Sequence, residues 1–373
     1  MPNSSKVIFC TDGIFPHAVG GMQRHSRLLI EALANQGVEI VVIHPHDEQV
    51  FEKKSGVKEL SIKGIDDKKN YLRECYRYSK RVHKIVQQYP GHVIYSQGLS
   101  IWYRAGDFSD RLIVNPHGLE PFQSFGLKNV MVAQPFIRVF KRIFKKAKYV
   151  VSLGGRLTDI LNQSLPTDKI VVLPNAVEGS PEQVQRNFPD KAQPLKLFFI
   201  ARFAHNKGIH ILLQAIQELN EAGYEEQLQY TLAGKGPLHA EITKKFDYKN
   251  IHYPGFVSDD QLKQFYHEHD IFVFPTLFEG MPTVVLEAMQ YGLPIIVSDT
   301  GATAELVDET NGFLIPKNDV EAVKESILNF YQMDADQKAK LSEASGIKVR
   351  QNFTWEKVAE AHREVFSRIE SAL

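Results

Sequence analysis

Apolar residues along this chain come in short blocks. Runs at 6–10, 39–44, 92–96, 112–115, 149–153 and 169–173 are almost wholly apolar at their centres. Blocks of that length without polar alternation predict strands buried on both faces, as in a parallel sheet. Between them, 23–35 and 71–88 carry apolar residues at helical spacing. The stretch 49–65 is less regular and is expected to hold extra strands or a loop. The pattern then restarts. Strands are expected at 195–201, 228–232, 251–253, 271–274, 295–297 and 313–315, with helices at 209–220, 259–268, 284–291 and 320–330. The intervening 178–194, rich in Pro, Gln, Asn and Glu, reads as a linker. The expected architecture is α/β: two Rossmann-like β/α/β domains, 1–178 and 179–352, followed by a helix at 353–373 for which Thr354 is the N-cap. Sheets of this kind bind ligands at the carboxyl ends of their strands, and two facing units would leave a cleft between them.

Composition narrows the class. With 43% hydrophobic and 24% charged residues, the 373-residue chain is neither disordered nor low-complexity. No run approaches the ~18 apolar residues of a membrane span. The first residues run straight into a strand pattern, so no signal peptide is expected, and the two cysteines, Cys10 and Cys75, are expected to be free thiols in a reducing cytoplasm. The net charge is zero, but residues 1–190 carry 26 Lys+Arg against 18 Asp+Glu, and residues 191–373 the reverse. Two domains with different partners would produce such a split, the basic one facing an anionic substrate, a nucleic acid or a membrane surface.

Candidate chemistry gathers at predicted strand ends. In Phe274-Pro275-Thr276-Leu277-Phe278-Glu279-Gly280-Met281-Pro282-Thr283-Val284, a strand runs through a turn into a helix. Glu279 lies on the turn, and Glu287 lies four residues after Thr283 and so on its helical face. Unpaired N–H groups at Thr283 and Val284 suit a phosphate, while carboxylates accept from sugar hydroxyls; two solvated glutamates are the alternative. Arg202 and Lys207 follow another strand, and a guanidinium fork with an ammonium would neutralise a diphosphate, unless they are a plain surface pair. Gly20-Gly21 precedes the first long helix and allows close approach of an anion, or forms a simple turn; it is neither a Walker loop nor G-x-G-x-x-G. His117 ends a strand in Asn115-Pro116-His117-Gly118, as a cleft-edge residue or a structural one. Gly234, in Ala233-Gly234-Lys235-Gly236, marks a structural turn or a nucleotide-binding edge. Asp334-Ala335-Asp336 is formally a D-x-D, but it lies away from any strand end, so no metal role is expected; no Cys/His cluster has zinc spacing and no nucleophile elbow is present.

Taken together and in order, these motifs resemble glycosyltransferase family 4, retaining enzymes of the GT-B architecture, across nearly the whole chain. Gly20-Gly21-Met22-Gln23 resembles that family's glycine loop, and Asn115-Pro116-His117-Gly118 its His-Gly motif. Leu173-Pro174-Asn175-Ala176-Val177 resembles its inter-domain segment, with Ala176 where Gly is usual. Glu279 and Glu287 match its paired glutamates, and Phe353-Thr354-Trp355-Glu356 the start of a last helix that returns to the N-terminal domain. The family's Glu-Gly-Phe-Gly is replaced by Glu279-Gly280-Met281-Pro282, in which Pro282 has no N–H to donate. The resemblance implies transfer of a sugar from a nucleotide diphosphate donor with retention, without a metal or other cofactor. It implies that Arg202 and Lys207 hold the diphosphate, helped by backbone donors from Gly21, Thr283 and Val284. It further implies that Glu287 takes the ribose, that Glu279 takes the sugar, and that His117 lies near the sugar. A UDP-sugar is favoured over a GDP-sugar, and the acceptor is expected to be a glycan or lipid-linked. An epimerase or hydrolase of the same architecture and a non-catalytic sugar-nucleotide-binding subunit are the competing readings; nucleic-acid binding finds no aromatic/basic motif.

The segment 136–148 has Phe136, Phe140, Ile143, Phe144 and Ala147 on one helical face and six cations elsewhere. It is either a peripheral contact with anionic membrane or a core-facing helix with a solvated basic side.

Overall fold

In the computed structural model, which describes residues 5–18, 20–51, 54–66, 68–123, 127–177, 186–188 and 193–373, the chain divides into two units. One comprises Met1–Glu178 with Trp355–Leu373, the other Gly179–Thr354.

The strands of the first unit are β1 (Lys6–Cys10), β2 (Glu39–His44), β3 (Val57–Ser61), β4 (Val93–Gln97), β5 (Leu112–Asn115), β6 (Tyr149–Ser152) and β7 (Ile170–Val172). They form one parallel sheet in the order β3-β2-β1-β4-β5-β6-β7, with α1 (Gly21–Asn35), α2 (Tyr71–Val86), α3 (Leu127–Lys146) and α4 (Gly155–Asn162) on the connections. The central strands are buried on both faces, which explains their unbroken apolar blocks. β3 differs. It is an edge strand with the sequence VKELS, half-exposed throughout, and so it carries no apolar block.

In the second unit, β8 (Leu195–Ile200), β9 (Leu228–Ala233), β10 (Ile251–Gly255), β11 (Ile271–Phe274), β12 (Ile295–Ser298) and β13 (Gly312–Ile315) form a parallel sheet in the order β10-β9-β8-β11-β12-β13. Its helices are α5 (Ile209–Glu221), α6 (His239–Lys245), α7 (Asp259–Glu268), α8 (Thr283–Gln290), α9 (Thr303–Leu306), α10 (Val320–Gln332) and α11 (Ala335–Asn352). Asp334 caps α11 in a capping box with Gln337, so the Asp334-Ala335-Asp336 triplet serves as a helix start.

The last helix, α12 (Trp355–Glu370), belongs to the first unit. Val358, Ala359, Val365, Phe366 and Ile369 enter the core beneath α1 and β4. Ser5 Oγ donates to the Glu370 carboxylate (2.8 Å), and Gln36 Nε2 donates to the Glu356 carbonyl (2.8 Å).

α3 starts nine residues before the expected segment and contains Pro135, a residue that usually ends a helix. Phe140, Ile143 and Phe144 are buried, whereas Arg138, Lys141, Arg142, Lys145 and Lys146 are exposed. Over residues 138–146 the apolar face is therefore spent on the core of the unit and the basic face meets solvent, while nearer the start of the helix Met131 and Val132 are exposed. Among the described residues no helix is long and apolar enough to cross a membrane. Both cysteines are free and buried. Of the expected linker, 178–185 and 189–192 lie outside the described residues, as does Val19 in the glycine loop.

Candidate active site

Four strand-to-helix loops of the second unit, those after β8, β9, β11 and β12, converge because three glycines let their backbones touch. A Cβ on Gly208 would overlap the Pro275 carbonyl, one on Gly234 the Ala201 carbonyl, and one on Gly301 the carbonyls of Glu279 and Gly280. Leu277 N–H and Thr276 Oγ1 both donate to the Asn206 carbonyl at 3.0 Å, tying the β11 loop to the β8 loop. This stitching brings Lys207 to Glu279, 72 residues away, in an ion pair of 2.5 Å between Nζ and Oε1. The Thr276 hydroxyl oxygen, itself buried, lies 3.3 Å from the same carboxylate oxygen. Lys207 sits in a short 3₁₀ turn, His205–Lys207, and α5 begins only at Ile209. Gly208, at φ +70°, separates Lys207 from the helix. Arg202 lies two residues past β8 and is exposed.

α8 begins at Thr283, preceded by Pro282 with φ −71° and ψ 117°. The Pro282 carbonyl accepts from Val285 N–H (3.2 Å), a bond that leaves Thr283 and Val284 as the helix-start donors. One turn on, Glu287 accepts from the hydroxyl of Tyr266 (3.0 Å to Oε2). Tyr266 is almost wholly buried and stacks on Tyr291 with centroids 5.3 Å apart. It comes from α7, and no spacing in the sequence links it to Glu287. Met281 is buried, and the Gly280 carbonyl accepts from Ala302 N–H at 2.7 Å, so this loop is fixed from behind. Gly234 donates its N–H to the Gly255 carbonyl (2.7 Å) and allows the close approach to Ala201.

In the first unit, His117 follows β5 with φ 56°. Its N–H donates to Asn115 Oδ1 (2.8 Å), and its Nε2–H donates to Gln97 Oε1. Burial lowers the His117 pKa to about 3, so the ring is neutral. The ring lies edge-on to His25, with centroids 5.2 Å apart, and burial followed by the neighbouring His117 holds His25 well below the usual range. Beneath this pair, Asn115 Nδ2 donates to Tyr95 Oη (2.9 Å), Tyr95 O–H to His362 Nε2 (3.1 Å), and His362 Nδ1–H to the Val358 carbonyl (2.7 Å). A buried polar chain thus joins the last helix to the turn that carries His117. Gly20 is extended and its carbonyl accepts from Arg24 N–H at 3.0 Å, while Gly21 opens α1 with no heavy atom within 4 Å of where a Cβ would stand.

Two parallel α/β units, each with its polar side chains at the carboxyl edge of its sheet, define the GT-B class. The chain belongs to glycosyltransferase family 4: the profile of Glycosyltransferase Family 4 matches residues 19–179, and that of Glycosyl transferases group 1 matches residues 194–333. It is 25% identical to the putative colanic acid biosynthesis glycosyltransferase WcaL of Escherichia coli, over 62% of this chain and 59% of that protein. It is 29% identical to the amylovoran biosynthesis glycosyltransferase AmsK of Erwinia amylovora, over 48% and 46%. The chain thus spans less than two thirds of the length of these relatives. Among solved structures, sucrose-phosphate synthase from Thermosynechococcus elongatus superposes with a TM-score of 0.79 at 18% identity, over 99% of this chain and 100% of that one. HepE of Anabaena, in complex with UDP and glucose, superposes at 0.65 and 19% identity, over 97% and 99%.

Proposed function

We propose that this glycosyltransferase moves a hexose or N-acetylhexosamine from a nucleotide diphosphate sugar to a glycan or lipid-linked acceptor, with retention, in the synthesis of a cell-surface polysaccharide. A UDP donor is favoured over GDP. The names of WcaL and AmsK and the UDP and glucose held by HepE support the class of reaction. The observation that supports it best is the Lys207–Glu279 pair set beside the open start of α8, with Glu287 one turn along. A cation, helix-start amides and two carboxylates are what a diphosphate, a sugar and a ribose need, in that order.

In this reading Lys207 and Arg202 neutralise the diphosphate and stabilise the charge that grows on it as the anomeric bond breaks, which puts them in place of a metal. The N–H groups of Thr283 and Val284 add to that field. Tyr266 holds Glu287 toward the ribose, and Glu279 accepts from sugar hydroxyls. The leaving phosphate takes the acceptor's proton. The test is a thermal-shift panel of UDP, GDP and ADP sugars, followed by nucleotide release with and without acceptors. One donor should raise the melting temperature by mass action and turn over in EDTA. Stabilisation by none of them, or turnover that is lost in EDTA and restored by metal, would sink the reading.

A further inference from the structure

The stretch 178–194 reads as a linker, yet two of its described residues are fastened to the second unit. Phe188 is buried, its ring edge-on to that of Phe330 on α10 with centroids 6.1 Å apart. Two residues earlier, Arg186 gives its guanidinium to main-chain carbonyls. Nε donates to the Tyr291 carbonyl (2.9 Å), Nη2 to that of Tyr266, and Nη1 to that of His269 and, at 3.5 Å, to that of His267. These carbonyls belong to the last turn and cap of α7 and to the cap of α8, where the helices offer no further N–H to take them. A guanidinium there also meets the negative ends of two helix dipoles. Burial lowers its pKa to about 10, so it stays charged at neutral pH.

Three of the residues held this way also share one aromatic stack. The Tyr266 ring lies nearly parallel to that of Tyr291 at 5.3 Å, and the His267 ring stands edge-on to Tyr291 at 4.8 Å. From that stack the Tyr266 hydroxyl reaches the Glu287 carboxylate at 3.0 Å, one turn before Tyr291. Between Tyr266 and Glu287 the chain runs through β11 and the loop of Glu279. The meeting of the two side chains therefore depends on how the ends of α7 and α8 are held against each other. A planar guanidinium with five N–H donors can tie both ends in one geometry, whereas an ammonium, with a single nitrogen, cannot span them all.

We propose that Arg186 is a positioning residue for the donor's ribose: by tying the end of α7 to the end of α8 it keeps Tyr266 on Glu287. This rests on the reading of Glu287 as the ribose partner. The probes are UDP and GDP, each compared with its form lacking the ribose hydroxyls, and inorganic pyrophosphate, all titrated calorimetrically into the full chain. The parent should prefer one nucleotide over its hydroxyl-free form by roughly tenfold or more, as expected for a hydrogen bond to a charged group. Arg186→Gln should lose most of that preference, while the hydroxyl-free form and pyrophosphate bind as they do to the parent. Arg186→Lys should keep only part of it. In a Tyr266→Phe background, Arg186→Gln should change nothing further, because the contact it supports is already gone. Circular dichroism checks the fold, and if Arg186→Gln does not fold, Arg186→Lys carries the test on the same ratio. Full preference in the folded variant would overturn the proposal. Equal weakening of every probe, pyrophosphate included, would do so too, since Arg186 would then support the unit as a whole and not the ribose contact. A parent with no preference for the ribose hydroxyls would strike the ribose reading of Glu287 itself, and the proposal with it.

Discussion

Glu279→Gln should move two quantities in opposite directions. The carboxylate is 9% exposed and pairs with Lys207 at 2.5 Å, so it competes with any diphosphate for that ammonium. Glutamine keeps the shape and an oxygen for Thr276 but removes the charge. A unit charge ~7 Å from a phosphate interacts by about 2 kcal/mol at an effective dielectric constant of ~20. Lys207 is 27% exposed, which lets solvent and salt reduce the effect. A gain of about 1 kcal/mol then remains, or roughly fivefold tighter UDP. Turnover should fall, because the sugar loses a partner whose hold strengthens as the anomeric bond breaks. A barrier raised by about 2–3 kcal/mol lowers kcat by roughly 30–150-fold. Titration calorimetry with UDP and steady-state kinetics at saturating acceptor give the two numbers. Weaker UDP binding together with kcat within twofold of the parent would refute the reasoning, since Glu279 would then support the nucleotide and not the sugar.

Tyr266→Phe removes the hydroxyl that holds Glu287 at 3.0 Å, and a bond to a charged group of about 1.5 kcal/mol predicts a donor KM raised about tenfold with kcat largely kept; a fall in kcat alone would place Glu287 at the reacting carbon. Burial holds His362 at about 4 and His117 at about 3 in the folded chain, so below the usual ~6.5 the unfolded chain binds more protons. Stability is thus present in full above that value and lost as pH falls toward 4, by up to about 1.4 kcal/mol per pH unit per histidine; urea midpoints between pH 7 and 4.5 should slope accordingly and flatten in part for His362→Gln. Because Phe140, Ile143 and Phe144 are buried, contact of the basic 138–146 stretch of α3 with anionic vesicles should be electrostatic; co-sedimentation should vanish at high salt and with Lys141, Arg142, Lys145 and Lys146 changed to Gln, and salt-resistant binding, which would place exposed Met131 and Val132 in the membrane, would contradict it.

What the sequence shows of this molecule follows burial. β1, β2, β5 and β11 fall on the expected residues because both of their faces are covered and their central positions are apolar. β3 was legible only as irregularity, since an edge strand needs no apolar run. The start of α3 was hidden by Pro135, which pattern reading takes for a boundary. At the site, the loop residues were legible because turns and helix starts have local chemistry. The pairing of Lys207 with Glu279, the grip of Tyr266 on Glu287 and the chain from His362 to Asn115 were not, because each joins residues that only the packed sheet brings together. That the Gly234 N–H goes to the Gly255 carbonyl was likewise hidden, because the two glycines follow neighbouring strands, β9 and β10, that only the sheet pairs.

The central claim is that the second unit's Lys207, Arg202, Glu279 and Glu287 act on a nucleotide diphosphate sugar and that the sugar is transferred with its configuration kept. The most direct measurement is proton NMR of the first product formed, before any mutarotation, using the donor selected by thermal shift. The account predicts an anomeric proton whose coupling matches that of the donor, and a signal that disappears in Lys207→Ala. An inverted anomeric coupling, or a full signal in Lys207→Ala, would contradict it.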